Sequence, residues 1–171
     1  MREALVALNQ LVADGVIGQY AIGGPVGAAY YIEAVQTEDL DAFVFFPAEP
    51  SGLLSLEPIY SALQRLGGVP EREFVRFGLW PLQVLPDTTP LVAEAIREAR
   101  SAEFEGIPTR VLTAEHTCCV ALETGRAKDK LRVVMFLEQH AVDRESLQNL
   151  AGMWGLGAKL EAVESLIDGS R

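Results

Sequence analysis

Several things are scarce in this 171-residue chain, and each scarcity removes a class of explanation. It has two cysteines, Cys118 and Cys119, and they are adjacent, so no spaced disulfide framework can be built from them. Positive charge is in short supply: 14 Lys and Arg stand against 24 Asp and Glu, a formal net charge of -10. Such a surface repels phosphate backbones at long range, which disfavours non-specific nucleic-acid binding and favours a small cation or a basic protein patch. No apolar run approaches the roughly 18 residues that a membrane span needs. The first residues alternate polar with apolar side chains, unlike a secretory leader, and the reading is cytoplasmic. There is no Gly-x-Ser-x-Gly nucleophile turn and no Gly-x-x-x-x-Gly-Lys loop. His116 and His140 with the cysteine pair match no zinc spacing, and buried thiols are the expectation for Cys118 and Cys119.

What is present suits one core. Hydrophobic residues make up 49% of the chain, and at this length a single domain buries roughly 70% of its unfolded surface. The expectation is one domain over 1–171, with a sheet-containing core over about 1–112 and a helical part over about 113–171. Leu5, Leu8 and Leu11 predict an amphipathic helix over 2–13, ended by Asp14-Gly15. Strands are expected at 19–22, 41–46, 73–77, 80–85 and 109–112, and helices at 26–34, 55–66 and 91–102. From Thr113, a predicted N-cap, helices follow to about 124, then over 128–140, 143–153 and 158–168. Strands early and helices late give an α+β mixed sheet flanked by helices, with a helical C-terminal tail.

Two short patterns carry chemistry. Ile22 runs into Gly23-Gly24, with Pro25 where a helix accepts proline. A strand that ends in glycines and opens a helix presents backbone N–H groups to an anion, phosphate above all. Asp39 and Asp41 sit two apart at the start of a strand, so both carboxylates share one face. Paired carboxylates need a cation, and hard oxygen ligands suit Mg²⁺. Either pattern alone is commonplace; their order within about 20 residues is more specific.

In Ala21–Tyr30, in Thr37-Glu-Asp-Leu-Asp-Ala-Phe-Val44, and in Thr113–His116 leading to Leu122–Asp129, the chain resembles the nucleotidyltransferase-fold superfamily. This is the polymerase-beta-like group, and the likeness is to small bacterial members related to toxin–antitoxin and abortive-infection nucleotidyltransferases. The resemblance spans roughly residues 15–140. It implies that Gly23 and Gly24 cradle the phosphates of a nucleoside triphosphate and that Asp39 and Asp41 bind Mg²⁺. It also implies that Lys128, with Arg126 beside it, neutralises the phosphates, where a plain reading is a solvated helix start with Asp129 in its first turn.

The chain departs from the family at two places. The slot of a third carboxylate falls at Gln83, which cannot serve as a general base; Glu73 and Asp87 are the nearby substitutes. Val35 stands where the family tends to carry a basic residue. One expectation is therefore nucleotidyl transfer to an acceptor hydroxyl. The alternatives are a catalytically silent nucleotide-binding or antitoxin-like protein-interaction module, and a nucleotide sensor that changes its assembly.

Overall fold

A helix whose leucines recur every three residues buries them against whatever sheet it meets, and α1 (Arg2–Ala13) does so through Leu5, Leu8 and Leu11. In this computed structural model, residues 1–33, 37, 39–46 and 55–168 are described. The remaining elements are β1 (Tyr20–Ile22), α2 (Gly24–Ala28), β2 (Leu40–Val44), α3 (Glu57–Arg65), β3 (Val69–Glu71), β4 (Phe74–Phe77) and β5 (Trp80–Pro86). After these come α4 (Pro90–Arg97), β6 (Arg100–Phe104), β7 (Ile107–Val111), α5 (Ala114–Thr124), α6 (Ala127–Glu138), α7 (Arg144–Met153) and α8 (Gly157–Asp168).

The strands form one mixed sheet in the order β3-β4-β5-β2-β1-β7-β6. β2 runs parallel to β5 and antiparallel to β1, while β1 runs parallel to β7. Antiparallel hairpins finish both ends. Alternation along β2 and β5 sends Leu40, Ala42, Val44, Leu82 and Val84 into one face, where they meet α1 and Ile59 and Leu63 of α3. The other face carries Ala21 and Phe43 and packs on Val92, Ala95 and Ile96 of α4. The C-terminal helices surround Phe136 and Leu137, and Ala28, Ile32 and Leu91 join that cluster from earlier in the chain. The expected α+β sheet with late helices is what forms. Among the described residues, no helix is long and apolar enough to cross a membrane.

Three expectations need correction. The helix foreseen over 91–102 ends at Arg97, and Arg100–Phe104 is a strand. A long-range contact decides this: the Arg110 guanidinium of β7 donates to the Arg97 and Ala99 carbonyls at 3.0 and 2.9 Å, satisfying acceptors that end the helix. The chain then reverses through Glu105 and Gly106, both at positive φ (48° and 76°), the geometry of a two-residue hairpin turn. Second, β3 is an additional edge strand, exposed throughout and carrying Pro70, which an edge tolerates. Third, the helix foreseen over 26–34 stops at Ala28. Backbone turn bonds continue as far as Ile32, whose N–H reaches the Ala28 carbonyl at 3.0 Å, and two hydroxyls also tie the segment down, Tyr31 donating to the Leu112 carbonyl at 2.8 Å and Tyr30 to that of Glu103 at 3.4 Å. Ala34 and Val35 lie outside the described residues.

Candidate active site

The site sits on the sheet face shared with α4 and is built from the middle outwards. Side chains alternate along β2, so Asp41 points to the same face as Phe43. Asp39 lies just before the strand and is steadied by Thr37, whose hydroxyl is 3.0 Å from the Asp39 carboxylate oxygen Oδ1 and receives the Asp39 N–H at 3.3 Å. In the parallel register, Asp41 stands opposite Gln83, the residue that the resemblance sets at the third-carboxylate position. Glu73 and Asp87 do not line the cleft. The Glu73 carbonyl receives the Tyr60 hydroxyl in the β3–β4 turn, and the Asp87 carboxylate accepts the Phe46 N–H.

The glycines divide their work. The Gly23 N–H is already donated to the Asp41 carbonyl at 3.0 Å, and a Cβ at Gly23 would run into Phe43 and Leu112. Gly23 thus serves close packing behind the site. Gly24 lies at φ 55°, and a Cβ there would overlap the Asp41 carboxylate, so no other residue permits this approach. As the first residue of α2, Gly24 has no intrahelical acceptor for its N–H. α2 has five residues, however, so its dipole is small and the anion site expected here depends on side-chain cations as well.

Those cations come from the start of α6. Gly125 ends α5 at φ 72°, the left-handed cap expected of it, and Thr113 opens the same helix by accepting the His116 N–H. Arg126, Lys128 and Lys130 are exposed, as in the solvated helix start considered above, but Asp129 in the same first turn is buried, at 1% exposed. It accepts Arg126 Nε at 2.6 Å on one oxygen and Arg132 Nη1 at 3.2 Å on the other. A buried carboxylate of this kind is tolerated because both oxygens are occupied by guanidinium groups. Asp129 and Arg132 were not singled out as site residues from the sequence. The available signal was the spacing Arg126, Asp129, Arg132, three apart on one helical face.

One cleft of about 350 Å³ gathers Gly24, Asp39, Asp41, Gln83, Arg126, Lys128, Asp129 and Arg132. Three of the 14 basic residues of an acidic chain therefore converge beside the aspartate pair. Burial, and secondarily the Asp39 charge, push the Asp41 carboxyl up to about 6, against the pull of Arg132, Lys128 and Arg126. The Asp129 hydrogen bond holds the Arg126 guanidinium above its ordinary value. Among the described residues, no three His, Cys, Asp or Glu side chains converge as a metal-binding group. The third aspartate of the cleft, Asp129, is held by Arg126 and Arg132, and does not join the Asp39–Asp41 pair as such a group. Elsewhere, Cys118 and Cys119 are buried as expected, and His116 is occupied by Thr113 and Glu94. Trp154 donates to Glu94, and Trp80 packs on the first core.

No family model matches the chain, and no curated protein matches it either. Among solved structures it is similar to an antigenic nucleotidyltransferase-like protein from Paracoccidioides brasiliensis, at 14% identity and TM-score 0.57, over 94% of this chain and 92% of that one. Two structures of the antibiotic-resistance factor ANT(2'')-Ia also match. The solution structure has 18% identity and TM-score 0.43, over 99% of this chain and 92% of that one. The structure in complex with adenylyl-2''-tobramycin has 17% identity and TM-score 0.44, over 97% and 98%. The two lower TM-scores do not establish a shared fold, so the assignment rests on the first likeness together with the strand order. By these measures the chain has a nucleotidyltransferase-like α+β fold.

Proposed function

We propose that this chain binds a nucleoside triphosphate with Mg²⁺ and transfers its nucleotidyl group to an acceptor hydroxyl. The observation that supports the reading is the convergence of Asp39, Asp41, Gly24, Arg126 and Lys128 on one cleft, from three separate stretches of sequence. The aspartates fit a divalent cation: the Asp41 carboxyl, pushed up to about 6 beside a second carboxylate, lacks the neutralising charge that such an ion brings. Asp39 and Asp41 would hold Mg²⁺, and its other ligands would have to come from outside these two carboxylates. Bound there, Mg²⁺ supplies charge neutralisation to the reacting phosphate.

The chain's own groups do the rest. The Gly24 N–H, Lys128 and the Arg126 guanidinium bind the β- and γ-phosphates, and Arg132 adds positive charge behind them. Gly23 shapes the turn. In the transfer, the acceptor oxygen bonds to the α-phosphorus, the bond to the bridging oxygen breaks, and pyrophosphate leaves. The acceptor's proton passes to water, since Gln83 cannot take it. The net charge of -10 favours a small cationic acceptor or a basic protein surface.

Gln83, in register with Asp41, favours a second reading: a catalytically silent nucleotide-binding or antitoxin-like module. Calorimetric titration with Mg²⁺ and each of the four nucleoside triphosphates, beside pyrophosphate release, separates the two. Binding with release, both abolished in the Asp39→Ala/Asp41→Ala variant, is the expected outcome. Binding without release in the presence of cationic acceptors supports the silent module. Absence of binding by the wild-type chain would remove both readings and leave the fold.

A further inference from the structure

The cleft does not end at its charged groups. Phe43 follows Asp41 on the same face of β2, about 7 Å further along the strand. Leu85 lies opposite Phe43, as Gln83 lies opposite Asp41. The facing wall is α5, through Val120 and Ala121, and Val92 of α4 also lines this part. Sheet and helix thus line an apolar slot at this end of the cleft.

Within this slot the wall contains an anomaly. Thr117 lines the cleft, is 4% exposed, and its hydroxyl has no hydrogen-bond partner among the described residues. A buried hydroxyl without a partner is disfavoured, and native structures hold few of them. On a helix, threonine divides between two χ1 rotamers, and rotation between them swings Oγ1 by about 120° around the Cα–Cβ bond. A polar edge atom in the slot would give the hydroxyl the partner it lacks.

We propose that this apolar slot is the site of the nucleobase. It holds a planar nitrogen heterocycle between Phe43 and Leu85 on one side and Val120 and Ala121 on the other, with Thr117 Oγ1 reading one edge. The proposal rests on the nucleotide reading above and extends it from the phosphates to the base. Its position fits, since the slot continues from the aspartate and cation end that takes the phosphates. An acceptor rich in hydroxyl or ammonium groups would meet apolar walls there and leave those groups without partners.

The test is calorimetric titration, in Mg²⁺, of ATP, GTP, CTP, UTP and inorganic tripolyphosphate into the wild-type chain, Thr117→Val and Thr117→Ser. The wild type is expected to prefer one or two bases and to bind them more tightly than tripolyphosphate. Thr117→Val is expected to weaken the preferred nucleotide by roughly tenfold, the worth of one neutral hydrogen bond, to level the differences among bases and to leave tripolyphosphate unchanged. Thr117→Ser keeps the preference. The melting temperature of Thr117→Val should not fall, because a hydroxyl without a partner is removed. If that variant fails to fold, Val120→Phe narrows the slot from a partly exposed position and carries the same expectations for binding. Equal wild-type affinity for all four nucleotides and tripolyphosphate overturns the slot while the nucleotide reading stands. Equal losses for nucleotide and tripolyphosphate in Thr117→Val also overturn it. Should Thr117→Val impair use of a cationic acceptor but not nucleotide binding, the slot belongs to the acceptor. No binding of any polyphosphate overturns slot and nucleotide reading together.

Discussion

Replacing Asp41 by asparagine should make the unliganded protein more stable while removing its capacity for a cation. A carboxyl that titrates at about 6 in the fold, against an ordinary value of 3.8, is disfavoured in its ionised form by about 3 kcal/mol. The causes are burial first and the Asp39 charge second. Above pH 6 the group is ionised folded and unfolded alike, and the folded state bears the whole cost. Below 3.8 it is protonated in both, and the cost is gone. Asparagine keeps the shape and removes the charge, so at pH 8 it should recover much of that energy. For a chain of this size 1 kcal/mol corresponds to about 2–4 °C in melting temperature, and the expected gain is on the order of 5 °C. Differential scanning calorimetry in chelator at pH 8, 6 and 4 measures it. The gap should be widest at pH 8, shrink through 6 and nearly close at 4. Millimolar Mg²⁺ should raise the wild type at pH 8 and leave Asp41→Asn where it was. A variant that melts below the wild type at pH 8, or a gap that ignores pH, would refute the reasoning.

Gln83→Asp restores a carboxylate one strand spacing, about 4.8 Å, from Asp41; Mg²⁺-dependent pyrophosphate release should rise by roughly a hundredfold, the scale of a recovered general base. Gly24→Ala puts a Cβ into the Asp41 carboxylate at a φ of 55°, so thermal denaturation should show a loss of about 1–3 kcal/mol and calorimetry should show no Mg²⁺-nucleotide binding. Asp129→Ala strands the Arg132 guanidinium, which is 12% exposed, and should lower stability by about 3 kcal/mol in denaturant titration. Arg126→Ala removes the other arm of that ion pair from a side chain that is 61% exposed; the same titration should register less than about 1 kcal/mol, while nucleotide affinity falls.

Much of this architecture was legible because local chemistry and tertiary packing agree. Leu5, Leu8 and Leu11 specify one face of α1 whatever it packs on, and Thr113 and Gly125 cap α5 without help from elsewhere. β2 is readable because all but one of its residues are buried, and the exception, Asp41, belongs to the site. The misread elements are those decided at a distance. Arg100–Phe104 has little apolar content of its own and becomes a strand by pairing with β7, after Arg110 has taken the last carbonyls of α4. α2 ends early where the following tyrosines find backbone carbonyls 73 and 81 residues away. Sequence spacing carries no record of such partners.

The same distinction explains which of the residues lining the cleft stand out in the sequence. Asp39, Asp41, Gly24, Arg126 and Lys128 announce themselves because charge and glycine are conspicuous in sequence. Asp129 appeared to be an ordinary acid in a first helical turn, and only the fold reveals that it is buried between two arginines. Thr117 is quieter still, a helical threonine among cysteines and valines. Its interest comes from a hydroxyl without a hydrogen-bond partner among the described residues, a property no sequence pattern can express. On the proposed reading, charge would place the phosphates and their cation, but every nucleoside triphosphate carries the same phosphates. Discrimination among nucleotides therefore has to come from groups that charge does not reveal. The groups proposed for it in this cleft are the apolar walls beyond Asp41 and the Thr117 hydroxyl.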